Sequence, residues 1–313
     1  MKRAFVFPGQ GSQAIGMGKE LAESFPVARQ VFEEVDDALG QKLSTLMFEG
    51  LIEDLTLTEN AQPALMSVSM AVVRVLQSEG NLTLADHAAF VAGHSLGEYS
   101  ALTAVGSLEL SDTARLLKLR GQSMQQAVPV GEGAMAALLG LDFEAAKAVA
   151  EEAAQGEICS AANDNAPGQV VVSGHKGAVE RALDIAKAKG AKRAVLLPVS
   201  APFHCSLMAP AADAMAEALA GVTLRAPSIP VVCNVSADVA TDPEAIRNLL
   251  IEQVTGVVRW RESVEFMKAQ EVEQLIELGA GKVLSGLTRR IDRELTSVNA
   301  GSSTEIEELL KSF

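Results

Sequence analysis

Residues 88–99 read Ala88-Ala89-Phe90-Val91-Ala92-Gly93-His94-Ser95-Leu96-Gly97-Glu98-Tyr99, and this stretch decides the fold. Ala88–Ala92 is a short apolar run bounded by Gly93, the length and flank of a buried strand. Gly93-His94-Ser95-Leu96-Gly97 fits G-x-S-x-G, and a helical stretch follows to about Val105. A strand that turns sharply into a helix needs small residues two before and two after the turning serine. The backbone then folds tightly and exposes Oγ at the strand end. The bare pattern occurs by chance; strand, elbow and helix in that order supply the context it requires.

Outward from the elbow, Arg3–Phe7 reads as a strand running into the glycine-rich turn Pro8-Gly9-Gln10-Gly11-Ser12. Helical patterns cover 26–39 and 61–79, and another helix starts at Ser111 or Asp112 and runs to about Gln126. Between Pro129 and Pro202 the pattern changes. Met135–Leu141 reads as a strand, Phe143–Ala154 as a helix, and Glu157–Ala162 and Gln169–Ser173 as strands. The turn-rich Asn163-Asp164-Asn165-Ala166-Pro167-Gly168 separates those two strands; Lys176–Lys189 is a helix and Ala191–Val199 a strand. The order β-α-β-β-α-β is that of a ferredoxin-like unit, expected as a subdomain of residues 128–201 inserted into a larger domain of 1–127 and 202–313. Afterwards Ala209–Leu219, Asp242–Val254, Trp260–Lys268 and Gly281–Arg293 read as helices, and Ile229–Asn234 and Val272–Leu278 as strands. Helices alternating with apolar strands imply an α/β protein with a mostly parallel sheet covered on both faces.

The chain of 313 residues is long enough for a large core, and its formal net charge of −14 argues against nucleic acid as the main ligand. No apolar run approaches the roughly 18–20 residues of a membrane helix. Met1-Lys2-Arg3 has the basic start of a signal peptide, but the apolar stretch behind it stops at Pro8, so a cytoplasmic protein is expected. Cys159, Cys205 and Cys233 are too sparse for a disulfide framework or a metal-ligand pair, and no metal is expected. Three basic clusters stand out on this acidic chain: Arg115, Lys118 and Arg120; Lys187, Lys189, Lys192 and Arg193; and Arg289, Arg290 and Arg293. Each reads equally as a solvated helix face.

The elbow needs partners. The free N–H groups at the start of the following helix favour negative charge, which makes the backbone N–H of Leu96 an oxyanion donor. A second donor must come from elsewhere, and the tight turn after the first strand offers the N–H of Gln10. Of the four histidines, His94 adjoins the serine and is better placed to line the pocket than to take a proton. His87 reads as a surface residue. His175 lies in a strand-to-helix turn, whereas His204 lies in the Pro-bracketed loop Ser200-Ala201-Pro202-Phe203-His204 at the domain junction. Catalytic groups often occupy such loops, which favours His204 as the base over His175; a histidine packed at a domain interface is the other reading. No acid announces itself as a third partner; a backbone carbonyl or an amide side chain can also orient the imidazole, and position in the chain does not decide among them. Arg120 reads as a solvated helix residue unless it faces the pocket, where it can hold a carboxylate through two parallel N–H···O bonds.

At these residues the chain resembles the malonyl-CoA:acyl carrier protein transacylases, over nearly its whole length. The resemblance rests on Phe5-Val6-Phe7-Pro8-Gly9-Gln10-Gly11-Ser12-Gln13, Gly93-His94-Ser95-Leu96-Gly97-Glu98-Tyr99, Arg120-Gly121, Asn165-Ala166-Pro167-Gly168-Gln169 and Pro202-Phe203-His204. Glu277-Leu278-Gly279-Ala280-Gly281-Lys282-Val283-Leu284 resembles the family's C-terminal strand–turn–helix, although members often have proline where Ala280 stands. The resemblance implies an α/β-hydrolase-like large domain with a ferredoxin-like insert. It implies Ser95 as nucleophile, His204 as general base and acid, and the N–H groups of Gln10 and Leu96 as the oxyanion hole. Arg120 then binds the malonyl carboxylate, His94 and the Gln10 side chain line the pocket, and Phe203 matches malonyl-selective members. The main chain near Gln253 falls where the family orients its histidine. The partners implied are malonyl-CoA as substrate and acyl carrier protein, which brings its own phosphopantetheine; no further cofactor is implied, and neither a membrane nor nucleic acid.

A hydrolase would use the same elbow, although Arg120 and Phe203-His204 speak against it. Gly9-Gln10-Gly11-Ser12-Gln13-Ala14 also fits the dinucleotide pattern G-x-G-x-x-A, but Glu33 and Glu34, about 20 residues on, fall in a helical stretch instead of at a strand end. A phosphate loop at Gly281-Lys282 fails on spacing. A scaffold protein would not need the serine, histidine and arginine together.

Overall fold

Parallel pairing of Arg3–Phe7 (β1) with Phe90–Gly93 (β2) sets Phe7 opposite Gly93, so the two strands end at the same level. The computed structural model describes Met1–Phe313. The remaining strands are Gly133–Leu139 (β3), Cys159–Ala166 (β4), Gln169–His175 (β5), Arg193–Leu196 (β6), Val231–Val232 (β7), Val239–Ala240 (β8), Gln274–Leu278 (β9) and Thr296–Ala300 (β10). The main sheet has the order β10-β9-β1-β2-β7-β8 and is parallel except for the β7–β8 pair. In β1 and β9 every residue after the first is buried, as expected of central parallel strands covered on both faces.

The second sheet, order β4-β5-β3-β6, is antiparallel throughout. With the helices Phe143–Ala154 and Lys176–Ala188 it forms the expected β-α-β-β-α-β unit in ferredoxin-like order. It has its own core, in which Val149, Val170, Val172 and Val179 are packed.

Two helices bring the pocket residues under the main sheet's carboxyl edge. Thr58–Gly80 is apolar nearly all round and buried along most of its length, roughly 34 Å of helix. Leu110–Ala127 crosses it at Gly121, where an added Cβ would lie 2.4 Å from Glu59 Cα. Glycine at 121 lets the two backbones touch, which brings its neighbour Arg120 within reach of the buried helix. No helix is long and apolar enough to cross a membrane.

Several expectations are corrected. Asn163–Ala166 is strand, not turn: β4 runs through it with register shifts between Ala161 and Asn163 and between Asp164 and Ala166. These irregularities admit polar residues into a strand whose side chains have partners elsewhere, Asp164 with Arg261 at 2.8 Å among them. Ile229–Asn234 shrinks to the two residues of β7, and the last long helix begins at Val283, because Gly279 and Gly281 hold positive φ. The edge strand β10 and the short helices Lys19–Ser24, Leu43–Glu49, Ile52–Thr56, Leu84–His87 and Ser303–Leu310 are additions.

Candidate active site

Ser95 turns the chain from β2 into the helix Gly97–Ala104 with a φ of 53°, in the left-handed region. For a residue with a Cβ that conformation is strained, and it persists where neighbours over-determine it. Here they do. The Ser95 N–H donates to Asn234 Oδ1 at 2.7 Å, and its carbonyl accepts from Gln253 Nε2 at 3.0 Å. Two glycines permit the turn: a Cβ on Gly93 would lie 1.9 Å from the Gly97 carbonyl, and one on Gly97 would lie 2.2 Å from Phe7 O. The elbow therefore sits directly against the loop leaving β1. Gly9 closes the same contact, since its Cβ would meet His94 O at 2.7 Å. Gln10 and Leu96 consequently flank the serine from two loops, and neither backbone N–H has an acceptor within the chain.

His204 is buried, at 4 % exposure, and also holds a positive φ, 57°. Its Nε2 lies 2.8 Å from Ser95 Oγ and its Nδ1 lies 2.9 Å from the Gln253 carbonyl. A carbonyl only accepts, so Nδ1 carries the ring proton and Nε2 is left bare to accept the serine hydroxyl proton. Burial, and then the charge of Arg120, lower the imidazole pKa to about 3. The ring is neutral at pH 7 and able to act as a base. No carboxylate is needed to orient it.

Arg120 is 1 % exposed, which overturns the solvated-face reading. Its Nη1 donates to Gln62 Oε1 at 2.8 Å, and its Nη2 donates to Gln253 Oε1 at 2.8 Å and to Ser95 Oγ at 3.2 Å. Nε has no partner. A guanidinium stays charged in such a place, so a fixed cation stands beside the serine hydroxyl with donor capacity to spare. Gln62 carries the arrangement further: its Nε2 donates to Thr58 Oγ1 at 3.0 Å, and that hydroxyl donates to Gln10 Oε1 at 2.8 Å. The arginine and the side chain of Gln10 are thus ends of one chain of hydrogen bonds.

His94 makes no bond to Ser95. Its Nε2 pairs with Asn165 Oδ1 at 2.8 Å, its ring lies 5.8 Å from that of Trp260, and burial lowers its pKa. Phe203 packs into the main core at 9 % exposure beside His204. His175 does not join the site: it ends β5 and its Nδ1 accepts the Ile158 N–H at 2.9 Å. His87 stacks edge-on against Phe313.

Glu98, Asn234, Gln62 and Thr58 escaped the sequence reading, and so did the side chain of Gln253. A signal existed for Glu98: it is the one charged residue on an elbow helix whose neighbours are otherwise apolar or small. The basic clusters are partly neutralised. Lys118 pairs with Glu59 at 3.1 Å, Lys187 with Asp184 at 3.6 Å and Lys189 with Glu152 at 2.6 Å, whereas Lys192, Arg193, Arg289, Arg290 and Arg293 are exposed without a carboxylate partner. A cleft of about 860 Å³ contains neither Ser95 nor His204; Asp142, Glu144, Asp164 and Glu265 line it, together with Arg259 and Arg261.

A nucleophile, a bare imidazole nitrogen and a buried cation on one hydroxyl are the equipment for moving an acid-bearing acyl group. The model of the acyl transferase domain matches residues 4–307. The chain belongs to this acyl transferase family. Among its relatives, the malonyl CoA-acyl carrier protein transacylase of Escherichia coli strain K12 is 51 % identical over 94 % of each chain. The acyl transferase fold is equally well matched. The crystal structure of an acyl-carrier-protein S-malonyltransferase from Bartonella henselae superposes with a TM-score of 0.97 at 57 % identity, covering 100 % of this chain and 99 % of that one. A malonyl-transacylase solved in complex with a type II PKS acyl-carrier protein superposes with a TM-score of 0.96 at 47 % identity, covering 100 % of both chains.

Proposed function

We propose that this acyl transferase moves a malonyl group from malonyl-CoA to the phosphopantetheine thiol of an acyl carrier protein through an ester on Ser95, supplying extender units for fatty-acid synthesis. The observation that carries this reading is the convergence on Ser95 Oγ of His204 Nε2 at 2.8 Å and Arg120 Nη2 at 3.2 Å. Ser95 Oγ attacks the thioester carbonyl while its proton passes to His204 Nε2. The oxyanion forms between the N–H groups of Gln10 and Leu96, at the start of the elbow helix. The tetrahedral intermediate then collapses, breaks the C–S bond and releases the thiol of coenzyme A, which takes the proton from His204. In the second half, the carrier's thiol gives its proton to His204 and attacks the malonyl ester, and Ser95 recovers its proton as the C–O bond breaks. This is ping-pong chemistry.

Arg120 holds the distal carboxylate in this reading, with His94, Phe203 and the side chain of Gln10 lining the acyl pocket and Gln253 orienting His204. The thioester is the substrate and the steps call for no metal or redox group. The division into 1–127 with 202–313 and an insert of 128–201 belongs to the same reading and is supported by the separate sheets and cores. We place the enzyme in the cytoplasm, a reducing compartment that suits three free cysteines.

Intact mass spectrometry tests the reading. Malonyl-CoA is expected to add one malonyl group to Ser95, none to Ser95→Ala, and holo acyl carrier protein is expected to remove it and gain it. An adduct lost to water with the carrier unmodified would make the chain a thioesterase. A malonylated Ser95→Ala protein would move the nucleophile elsewhere.

A further inference from the structure

Glu98 lies in the first turn of the elbow helix, three residues after Ser95, with 1 % of its surface exposed. Every residue from Gly97 to Thr103 is buried. A carboxylate in such surroundings is costly unless several donors meet it. Two donors converge on one oxygen, Oε2: the Asn234 N–H at 2.9 Å and Gln253 Nε2 at 3.0 Å. The other oxygen, Oε1, has no partner.

Neither donor residue is idle. The Asn234 side chain accepts the Ser95 N–H at 2.7 Å and donates to Gly93 O at 2.7 Å, so it spans the elbow. Gln253 holds Ser95 O through Nε2, His204 Nδ1 through its backbone carbonyl, and Arg120 through Oε1 at 2.8 Å. A primary amide can turn over and exchange its oxygen for its nitrogen. Turned over, Gln253 would set its NH2 against the guanidinium and its oxygen against the Ser95 carbonyl, two repulsive contacts in place of two bonds. An acceptor fixed at Glu98 Oε2 adds a third contact that favours the working orientation and holds the amide in place. The same oxygen fixes the backbone of Asn234, and with it the side-chain bridge that holds the left-handed Ser95.

We infer that Glu98 is a positioning residue for acyl transfer, acting through Gln253 and Asn234 on Ser95, His204 and Arg120 without touching a reacting atom. The inference rests on the reading of Ser95 and His204 given above. What the site requires of residue 98 is an acceptor at the reach of a glutamyl side chain; the charge is secondary. Burial pushes the Glu98 carboxyl up to about 7, and a proton on the unpartnered Oε1 would leave Oε2 free to accept both bonds.

Two substitutions separate reach from charge. Glu98→Asp keeps the charge and withdraws the oxygen by one methylene; Glu98→Gln loses the charge and keeps an acceptor in place. The rate of carrier malonylation would be measured per active site, with the sites counted by intact mass after malonyl-CoA alone. Glu98→Asp is expected to lower kcat about 100-fold, the scale of an ångström-level misplacement of reacting groups. Its KM for malonyl-CoA should stay within about threefold, because Gln62 still anchors Arg120 through Nη1 at 2.8 Å. Glu98→Gln should lose no more than about tenfold, and Asn234→Ala should share the kcat-selective loss of Glu98→Asp. Equal rates for Asp and Gln, Gln the poorer of the two, or a loss confined to KM would overturn the inference. Absence of any malonyl adduct on the unsubstituted enzyme would instead remove the reading on which it rests.

Discussion

Ser95 and His204 both hold left-handed backbones, with φ of 53° and 57°, and meet through one 2.8 Å hydrogen bond. Strain of this kind concentrates where geometry matters for chemistry. Gln253 holds both residues, taking the His204 Nδ1 proton on its backbone carbonyl and donating from its side chain to Ser95 O. One residue of the helix Pro243–Gln253 therefore fixes the relative placement of the Ser95 hydroxyl and the His204 imidazole.

Arg120 should decide between acyl groups. Two charge-assisted hydrogen bonds to a malonyl carboxylate correspond to about a 10³-fold effect at roughly 1.5–3 kcal/mol each. Arg120→Ala is expected to lower kcat/KM for malonyl-CoA by about that factor, and for acetyl-CoA by less than about tenfold. Steady-state kinetics with both thioesters gives the ratio. Equal losses would mean that Arg120 serves Ser95 Oγ, 3.2 Å from Nη2, and does not read the carboxylate.

The pH dependence follows from two buried groups of opposite sign. His204 titrates near 3, below its ordinary value of 6.5, so the first-turnover malonylation rate should show no fall centred near 6.5. Its contribution to stability is present above pH 6.5 and is lost as pH falls through about 3. Glu98, raised from 4.5 to about 7, contributes stability that is full below pH 4.5 and is lost as pH rises through about 7. Urea unfolding of the wild type and of Glu98→Gln should therefore diverge between pH 4.5 and 8, the wild type losing roughly 3 kcal/mol relative to the variant. Parallel curves would place the titration of Glu98 outside this range.

The elbow glycines should differ sharply from glycines in open turns. Gly106 holds φ 73° with nothing within 4 Å of a built Cβ, so Gly106→Ala is expected to cost about 1–2 kcal/mol from backbone conformation alone. Gly93→Ala drives a Cβ to 1.9 Å from the Gly97 carbonyl and should cost about 3 kcal/mol or more, with loss of the malonyl adduct. Urea denaturation ranks the two. A Gly93→Ala protein as stable as Gly106→Ala would show that the elbow can open.

The features legible in the chain alone are local ones. The run Ala88–Ala92, the glycines at 93 and 97 and the helix beyond are dictated by neighbours in the chain, because turn sterics and hydrophobic period act over a few residues. The same holds for the order of strands and helices at 133–196, although β4 runs four residues past its expected end. Ser95 was legible for this reason. Its loop favours His204, and the resemblance implies its role.

Tertiary structure alone decided the rest. A helical pattern cannot say whether Arg120 meets water or a pocket; the close crossing at Gly121, beside Gln62, decides it. The partner of His204 Nδ1 is a backbone carbonyl, a group every residue carries, so no residue type could announce it. Glu98, Asn234 and Gln253 lie 136 and 155 residues apart along the chain where they meet in hydrogen bonds. A buried polar group is tolerable only once its partners arrive, and those partners come together only when the sheet closes and sets β2 beside β7.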